Sequence, residues 1–154
     1  MRQYLDALQY IFDNGEDVAN RTDIDTRAVF GMQMRYNMAD GFPAVTTKRL
    51  AFRGVKAELL WFLKGSGDVK ELQALGSHIW DANAEASYWK PKAKFEGDLG
   101  RVYGVQWRSW QKSDGTTIDQ LVDAINLIKN DADSRRIIVN AWNPGELDQM
   151  ALPP

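Results

Sequence analysis

Cysteine is absent from the 154 residues. That excludes a disulfide framework and a thiolate metal site, and it leaves no thiol to act as a nucleophile. Histidine is nearly absent too. With His78 alone, a His-based zinc site or a Ser-His-Asp triad has little to build on. Neither sign of charge is in excess: the net charge is −2, which argues against general nucleic-acid binding, whose footprint is usually strongly basic. A small basic cluster remains compatible with it. No apolar run is long enough to span a bilayer. The N-terminal stretch MRQYLDALQYIFDNG is amphipathic and lacks the unbroken apolar core of a signal peptide. The expectation is a cytoplasmic protein without a membrane partner. Repeats, low-complexity tracts and Pro/Gly/Ser-rich linkers are missing as well.

What is present fits one soluble globular domain: 44% hydrophobic and 26% charged residues, in a chain long enough for one core and short for two. Six tryptophans are many; each is a core residue by default, and some can form a stacking wall for a planar ligand. Tyr4, Leu5, Leu8, Ile11 and Phe12 recur at helical spacing up to Gly15. Phe30, Met32, Met34, Tyr36 and Met38 alternate with polar or small residues, which predicts a half-buried strand. Asp40, Gly41 and Pro43 predict a turn after it. Phe52, Val55, Leu59, Phe62 and Leu63 predict an apolar helix stopped at Gly65-Ser66-Gly67. Asp68 can cap a short helix bearing Val69, Leu72 and Leu75. Residues 82–101 read as an irregular polar surface segment. Thr117 and Gln120 fit a capping box, opening a helix that buries Leu121, Val122, Ile125 and Ile128. Ile137-Ile138-Val139 leads to Trp142 as a strand apolar on both faces, and so central in a sheet. The order is that of a mixed α+β fold. A central strand with few visible partners also suggests that further sequence belongs to this fold.

Four groups of residues can carry chemistry. Arg135 and Arg136 stand at the entry of the predicted central strand, and guanidinium groups match phosphate and carboxylate in bidentate fashion. On the residues alone the pair reads first as solvated charge at a strand edge, the usual fate of charged residues. Glu58 falls inside the apolar arc of its helix. A carboxylate there suits proton handling, or it is a structural partner of Arg53 or Lys56. The stretch NRTDIDT from Asn20 to Thr26 sets Arg21 among hydroxyls, although Asp23 and Asp25 would repel an anion. VTTKRL presents Lys48 and Arg49 after a turn. No serine lies in a recognisable nucleophile motif.

Taken together, DGFPAVTTKR, ELLWFLKGSGDV, IWDANA, VYGVQWR and SRRIIVNAWN, in that order, resemble thymidylate synthases. The likeness runs from the first residue to the last, so that residues 1–154 resemble the N-terminal portion of a single thymidylate synthase domain. The resemblance implies a mixed β-sheet packed with helices, and two subunits joined sheet to sheet. It implies reductive methylation of dUMP to dTMP. A cysteine thiolate adds to C6 of the base, and methylenetetrahydrofolate gives both the carbon and the hydride and leaves as dihydrofolate. No metal is implied. By the same resemblance Arg21 binds the dUMP phosphate, and Arg135 and Arg136 reach the phosphate of the other subunit in a homodimer. Glu58 assists proton transfer and Tyr103 hydrogen-bonds near the reacting centre. Trp80 and Asn83 border the folate, and Lys48 and Asp81 lie at the entrance. The chain departs from the family at Asp23 and Asp25, where glycines are usual, at Asn83, where a second tryptophan is common, and at Ala51, where a histidine is. The family continues after ALPP with Cys-His, so the expectation is that the nucleophile follows Pro154 and that the 154 residues alone are inactive. A pyrimidine hydroxymethylase, which shares the folate but finishes with water, and a non-catalytic nucleotide-binding fragment are the alternatives.

Overall fold

The computed structural model describes residues 2–20 and 24–154; Arg21 and Asp23, singled out above, lie outside them. The chain divides into two compact units, Met1–Leu50 and Ala51–Pro154.

In the first unit, α1 (Arg2–Asn14) ends as expected at Gly15, whose N–H donates to the Ile11 carbonyl at 2.8 Å. Strands β1 (Glu16–Val18) and β2 (Thr26–Ala28) pair antiparallel with Glu16 opposite Ala28. Arg27 ties this ribbon to the helix. Its Nε donates to the Phe12 carbonyl at 2.9 Å and its guanidinium reaches Asp17 Oδ1 at 3.0 Å. The half-buried strand expected over residues 30–38 is not formed. Phe30, Met32, Met34 and Met38 are exposed, and no described segment pairs with theirs. Alternation marks which side chains a strand would bury, but a strand exists only when a neighbour takes its ladder. A short 3-10 turn, Met38–Asp40, closes the region. Asn37 caps it by accepting from the Ala39 N–H, and Gly41 leaves it at φ 104°.

The second unit holds the main core. Helix α2 (Phe52–Lys64) stops where expected, at Gly65, which is left-handed at φ 76° with its N–H on the Phe62 carbonyl. Its Ala57, Trp61 and Phe62 are buried, while Phe52, Val55, Leu59 and Leu63 are exposed. Helix α3 (Val69–Ala74) is capped by Asp68, whose carboxylate accepts from the Lys70 N–H at 2.9 Å. Next come α4 (Asp81–Ala84), α5 (Tyr103–Arg108), the antiparallel ribbon of β3 (Trp110–Gln111) and β4 (Thr117–Ile118), and α6 (Gln120–Asn130). Trp61, Leu72, Leu99 and Val102 are fully buried at the centre.

Four expectations need correction in this unit. Residues 82–101 are irregular but not a surface segment, because Ala84, Trp89, Asp98 and Leu99 are buried. Asp98 makes this possible by consuming polar groups locally. It accepts from the Lys94 and Gly100 N–H groups at 2.8 and 2.7 Å, and its carbonyl takes the Trp89 indole at 2.7 Å. The cap of α6 is Asp119, which accepts from the Val122 N–H at 3.1 Å, since Thr117 is spent in β4. Of the face predicted to be buried, Val122, Ile125 and Ile128 are exposed; Ala124 is the buried residue of this helix. Residues 137–142, expected to be a central strand, form none. The Gln120 side chain brackets Asn140 there, donating to its carbonyl and accepting from its N–H, both at 2.9 Å. A side-chain amide thus does for one residue what a neighbouring strand would do for all, and Ile138 stays 67% exposed. The α+β class holds, but the sheets among the described residues are two short antiparallel ribbons instead of a mixed sheet.

Candidate active site

Helix α5 lies directly on α2. A Cβ at Gly104 would stand 2.6 Å from both Cα and O of Phe62, so only glycine permits the approach. The turn after α2 and the segment before α5 approach as tightly: a Cβ at Gly67 would come 2.4 Å from the Gly100 carbonyl oxygen. This closeness gathers an aromatic cluster. Phe62 stands 6.1 Å from Trp80 at 89°, 5.4 Å from Tyr103 and 5.5 Å from Trp107, and Trp80 lies 5.4 Å from Tyr103 at 77°. Edge-to-face pairs of this kind place ring hydrogens against π faces and add directional attraction to burial.

Glu58 sits one turn before Phe62 and is half-buried at the margin of the cluster. Trp80 Nε1 donates to Glu58 Oε1 at 2.6 Å. Its partner is therefore the indole, not Arg53 or Lys56, and among the described residues it has no ion pair. The carboxylate and the Tyr103 phenol are coupled. Burial, and then the negative charge of Glu58, raise the Tyr103 pKa above the ordinary phenol range. The Tyr103 hydroxyl donates to the Pro153 carbonyl at 3.4 Å, a long bond.

Three expected residues, Glu58, Trp80 and Tyr103, thus meet in one cluster. Trp80 is only 4% exposed, so it underlies the cluster and offers no open stacking face. Asp81 follows it and accepts from Gln73 Nε2 at 3.0 Å and from His78 Nδ1 at 2.9 Å. The Gln73 hydrogen bond, and next that of His78, hold the Asp81 carboxyl below its usual range. Asn83, half-buried, is on the same short helix. Lys48 is exposed in the first unit. Arg135 and Arg136 are exposed, and among the described residues no hydrogen bond or ion pair joins them to Glu58, Trp80 or Tyr103. Arg136 borders a shallow apolar depression with Trp110, Ile118, Leu127 and Ile138.

Sequence reasoning missed a buried polar network beside Tyr103. Gln106 is 0% exposed. Its Nε2 donates to Glu146 Oε2 at 2.7 Å and to the Arg101 carbonyl at 3.0 Å, and its Oε1 accepts from Asn143 Nδ2 at 3.3 Å. Arg101 Nε donates to the same Glu146 oxygen at 2.6 Å. The available signal was Gln106 lying three residues after Tyr103, between apolar neighbours.

Among the described residues no group of three or more His, Cys, Asp or Glu side chains could hold a metal ion, and no helix is long and apolar enough to cross a membrane. A carboxylate, an indole and a raised-pKa phenol in one aromatic setting are equipped to order water and move a proton. The family model for thymidylate synthase matches residues 2–154. The chain belongs to the thymidylate synthase family.

Proposed function

We propose that this chain forms the folate-side and phosphate-binding part of an enzyme that converts dUMP to dTMP. The observation that carries the reading is the Trp80–Glu58 hydrogen bond beside the Tyr103 phenol, in a chain matched to the family over residues 2–154.

Glu58 offers one carboxylate oxygen to Trp80, which fixes its orientation, and leaves the other free among the described residues to order water and pass a proton to or from the base. The phenol of Tyr103, kept protonated by its surroundings, is hydrogen-bonded near the reacting centre. The residue types suit a flat, hydrogen-bonding heterocycle: the Glu58 carboxylate and the Asn83 amide, both half-buried, supply polar groups beside the buried Trp80. When bound there, methylenetetrahydrofolate supplies the one-carbon unit and the hydride. Arg21 from one subunit and Arg135 and Arg136 from the other hold the nucleotide phosphate, so the working unit is a homodimer in the cytoplasm. Arg135 and Arg136, exposed and without a carboxylate partner among the described residues, suit that task. Lys48 and Asp81 stand at the entrance. The thiolate that adds to C6 of the base comes from polypeptide outside these residues, since they contain no cysteine.

The test is the protein made from its own complete gene, assayed with dUMP and methylenetetrahydrofolate by dihydrofolate formation and identification of the nucleotide product. dTMP with stoichiometric dihydrofolate supports the reading. A hydroxymethylated pyrimidine, or nucleotide binding without turnover, overturns it.

A further inference from the structure

Helix α5 carries Tyr103 at its first position but has little means of holding itself. It is six residues long, and its N-cap, Val102, makes no side-chain cap hydrogen bond. A helix that short is unstable alone, so its direction is set by what anchors it. The Gly104–Phe62 contact is a close backbone approach that fixes distance, and at the far end of the helix the Arg108 guanidinium reaches the Leu63 carbonyl at 3.2 Å and Asp119 at 2.9 Å. Nearer to Tyr103 the anchor is Gln106, one turn on and fully buried. A primary amide is costly to bury unless its groups are bonded, and here both its nitrogen and its oxygen are.

The bonds of Gln106 run to the residues just before α5 and to the segment that leads on to Pro153, whose carbonyl takes the Tyr103 hydroxyl. Its Nε2 reaches the Arg101 carbonyl, just before the helix, and Glu146 Oε2, while Asn143 Nδ2 reaches its Oε1. Glu146 is 8% exposed and also takes Arg101 Nε. From Glu146 onward the chain is laced to the same place. The Arg101 N–H donates to the Gln149 carbonyl at 2.8 Å, the Ala151 N–H to the Leu99 carbonyl at 3.0 Å, and the Tyr88 hydroxyl to the Ala151 carbonyl at 2.6 Å. That segment ends on the Pro153 carbonyl, which the Tyr103 hydroxyl contacts.

We propose that Gln106, held by Glu146, Arg101 and Asn143, is a positioning residue for Tyr103. It sets the rotation of α5 so that the phenol faces the Glu58 cluster and the Pro153 carbonyl together. The proposal rests on the function assigned to Tyr103 above, but its first readout does not need turnover.

In the complete protein with ring-labelled tyrosine, the Tyr103 signal is assigned by its loss in Tyr103→Phe. Ring currents of Phe62 and Trp80 displace it from the free-tyrosine position. In Gln106→Met it should move toward that position, while the indole N–H signals of Trp61 and Trp89, bonded to the Asp68 and Asp98 carbonyls, stay where they are. Asn143→Ala, which removes a single bond to Gln106, should give the same change in smaller measure and serves if Gln106→Met does not fold. A Tyr103 signal that stays in place, or one that moves only together with both indoles, overturns the proposal. The second readout is turnover. Gln106→Met should lower kcat by about a hundredfold, the scale of a misplacement near 1 Å, and little further in a chain already carrying Tyr103→Phe. Multiplying losses in the double variant also overturn it. If the unaltered protein makes no dTMP, the assigned function fails and the tyrosine signal still decides the positioning.

Discussion

Glutamine at position 58 keeps the shape of the side chain and removes its charge, so Glu58→Gln separates holding from chemistry. The Trp80 indole would still find an oxygen where it now meets Oε1 at 2.6 Å. A hydrogen bond to a charged acceptor contributes about 1.5–3 kcal/mol and a neutral one about 0.5–1.5 kcal/mol, a difference near 1 kcal/mol. Glu58 is half-buried, so water screens part of that difference, and the expected loss of folding stability is about 1 kcal/mol or less. The loss in turnover should be far larger. Removing a general acid or base costs about a hundredfold or more, which is about 2.7 kcal/mol of barrier. A third effect has a definite sign. The charge of Glu58 is the second cause of the raised Tyr103 pKa and burial is the first. Neutralising Glu58 therefore lowers the phenol pKa while leaving it above the ordinary value. Because a raised pKa favours the protonated fold, stability is full below the ordinary phenol value and is lost as pH rises through the folded value; in the variant the onset is unchanged, while the alkaline loss is smaller and ends at lower pH. Urea unfolding at neutral pH, the same melts on an alkaline series, and dihydrofolate formation by the complete protein measure the three quantities. Turnover that is unchanged, or that falls only as far as the folded fraction does, would reduce Glu58 to a structural partner of Trp80.

Other perturbations test other parts of the fold. Gly104→Ala would force a Cβ to within 2.6 Å of Phe62 backbone atoms; since backbone cannot swing aside, a loss of about 1–3 kcal/mol is expected in urea melts, with the aromatic cluster loosened. Asp81 is held below its usual range by Gln73 and then His78, so the stability it adds is present above the ordinary aspartate pKa and drains as pH falls through the lowered value. Gln73→Leu should move that acid limb to higher pH, and coincident acid melts would refute it. Arg135→Ala with Arg136→Ala in one subunit, mixed with a partner subunit lacking the nucleophile, should regain activity from two inactive parents. Heterodimers that form without activity would refute the shared phosphate site.

The parts of this fold written locally were legible. Helices α1, α2 and α3 follow from apolar periodicity closed by Gly15 and Gly65 and opened by Asp68, all signals within a few residues of their effect. Residues 30–38 and 137–142 carry strand patterns of equal quality, yet a pattern states only what a strand would bury. The partner that makes it a strand is non-local, and the described chain brings none alongside. Glu58 shows the same limit within the site. A helical wheel places it in the apolar arc, but the wheel sees only the residue's own helix, whose cations near Glu58 are Arg53 and Lys56. The actual one, Trp80, is 22 residues on. Gln106 was invisible for the same reason, its acidic partner being 40 residues away. Residues 82–101 misled in another way. Their polar composition reads as surface, and only the geometry shows Asp98 folding those groups back on the backbone.

These long-range ties explain how a cluster of rings can hold a reactive geometry. Packing among Phe62, Trp80, Tyr103 and Trp107 supplies cohesion, but dispersion and burial depend weakly on rotation, and rings of similar size can slide at small cost. Polar anchors add direction, and two of them bear on Tyr103. Trp80 Nε1 on Glu58 fixes α4 against α2, and Gln106 on Glu146 fixes α5 against the segment that ends at Pro153. Tyr103 is the residue both anchors reach, the first through ring contact with Trp80 and the second through its own helix. Cutting either tie alone leaves the other in place, so the phenol would keep one of its two references. Cutting both should cost more in positioning than the sum of the single cuts, while the apolar contacts, and with them much of the folding stability, remain.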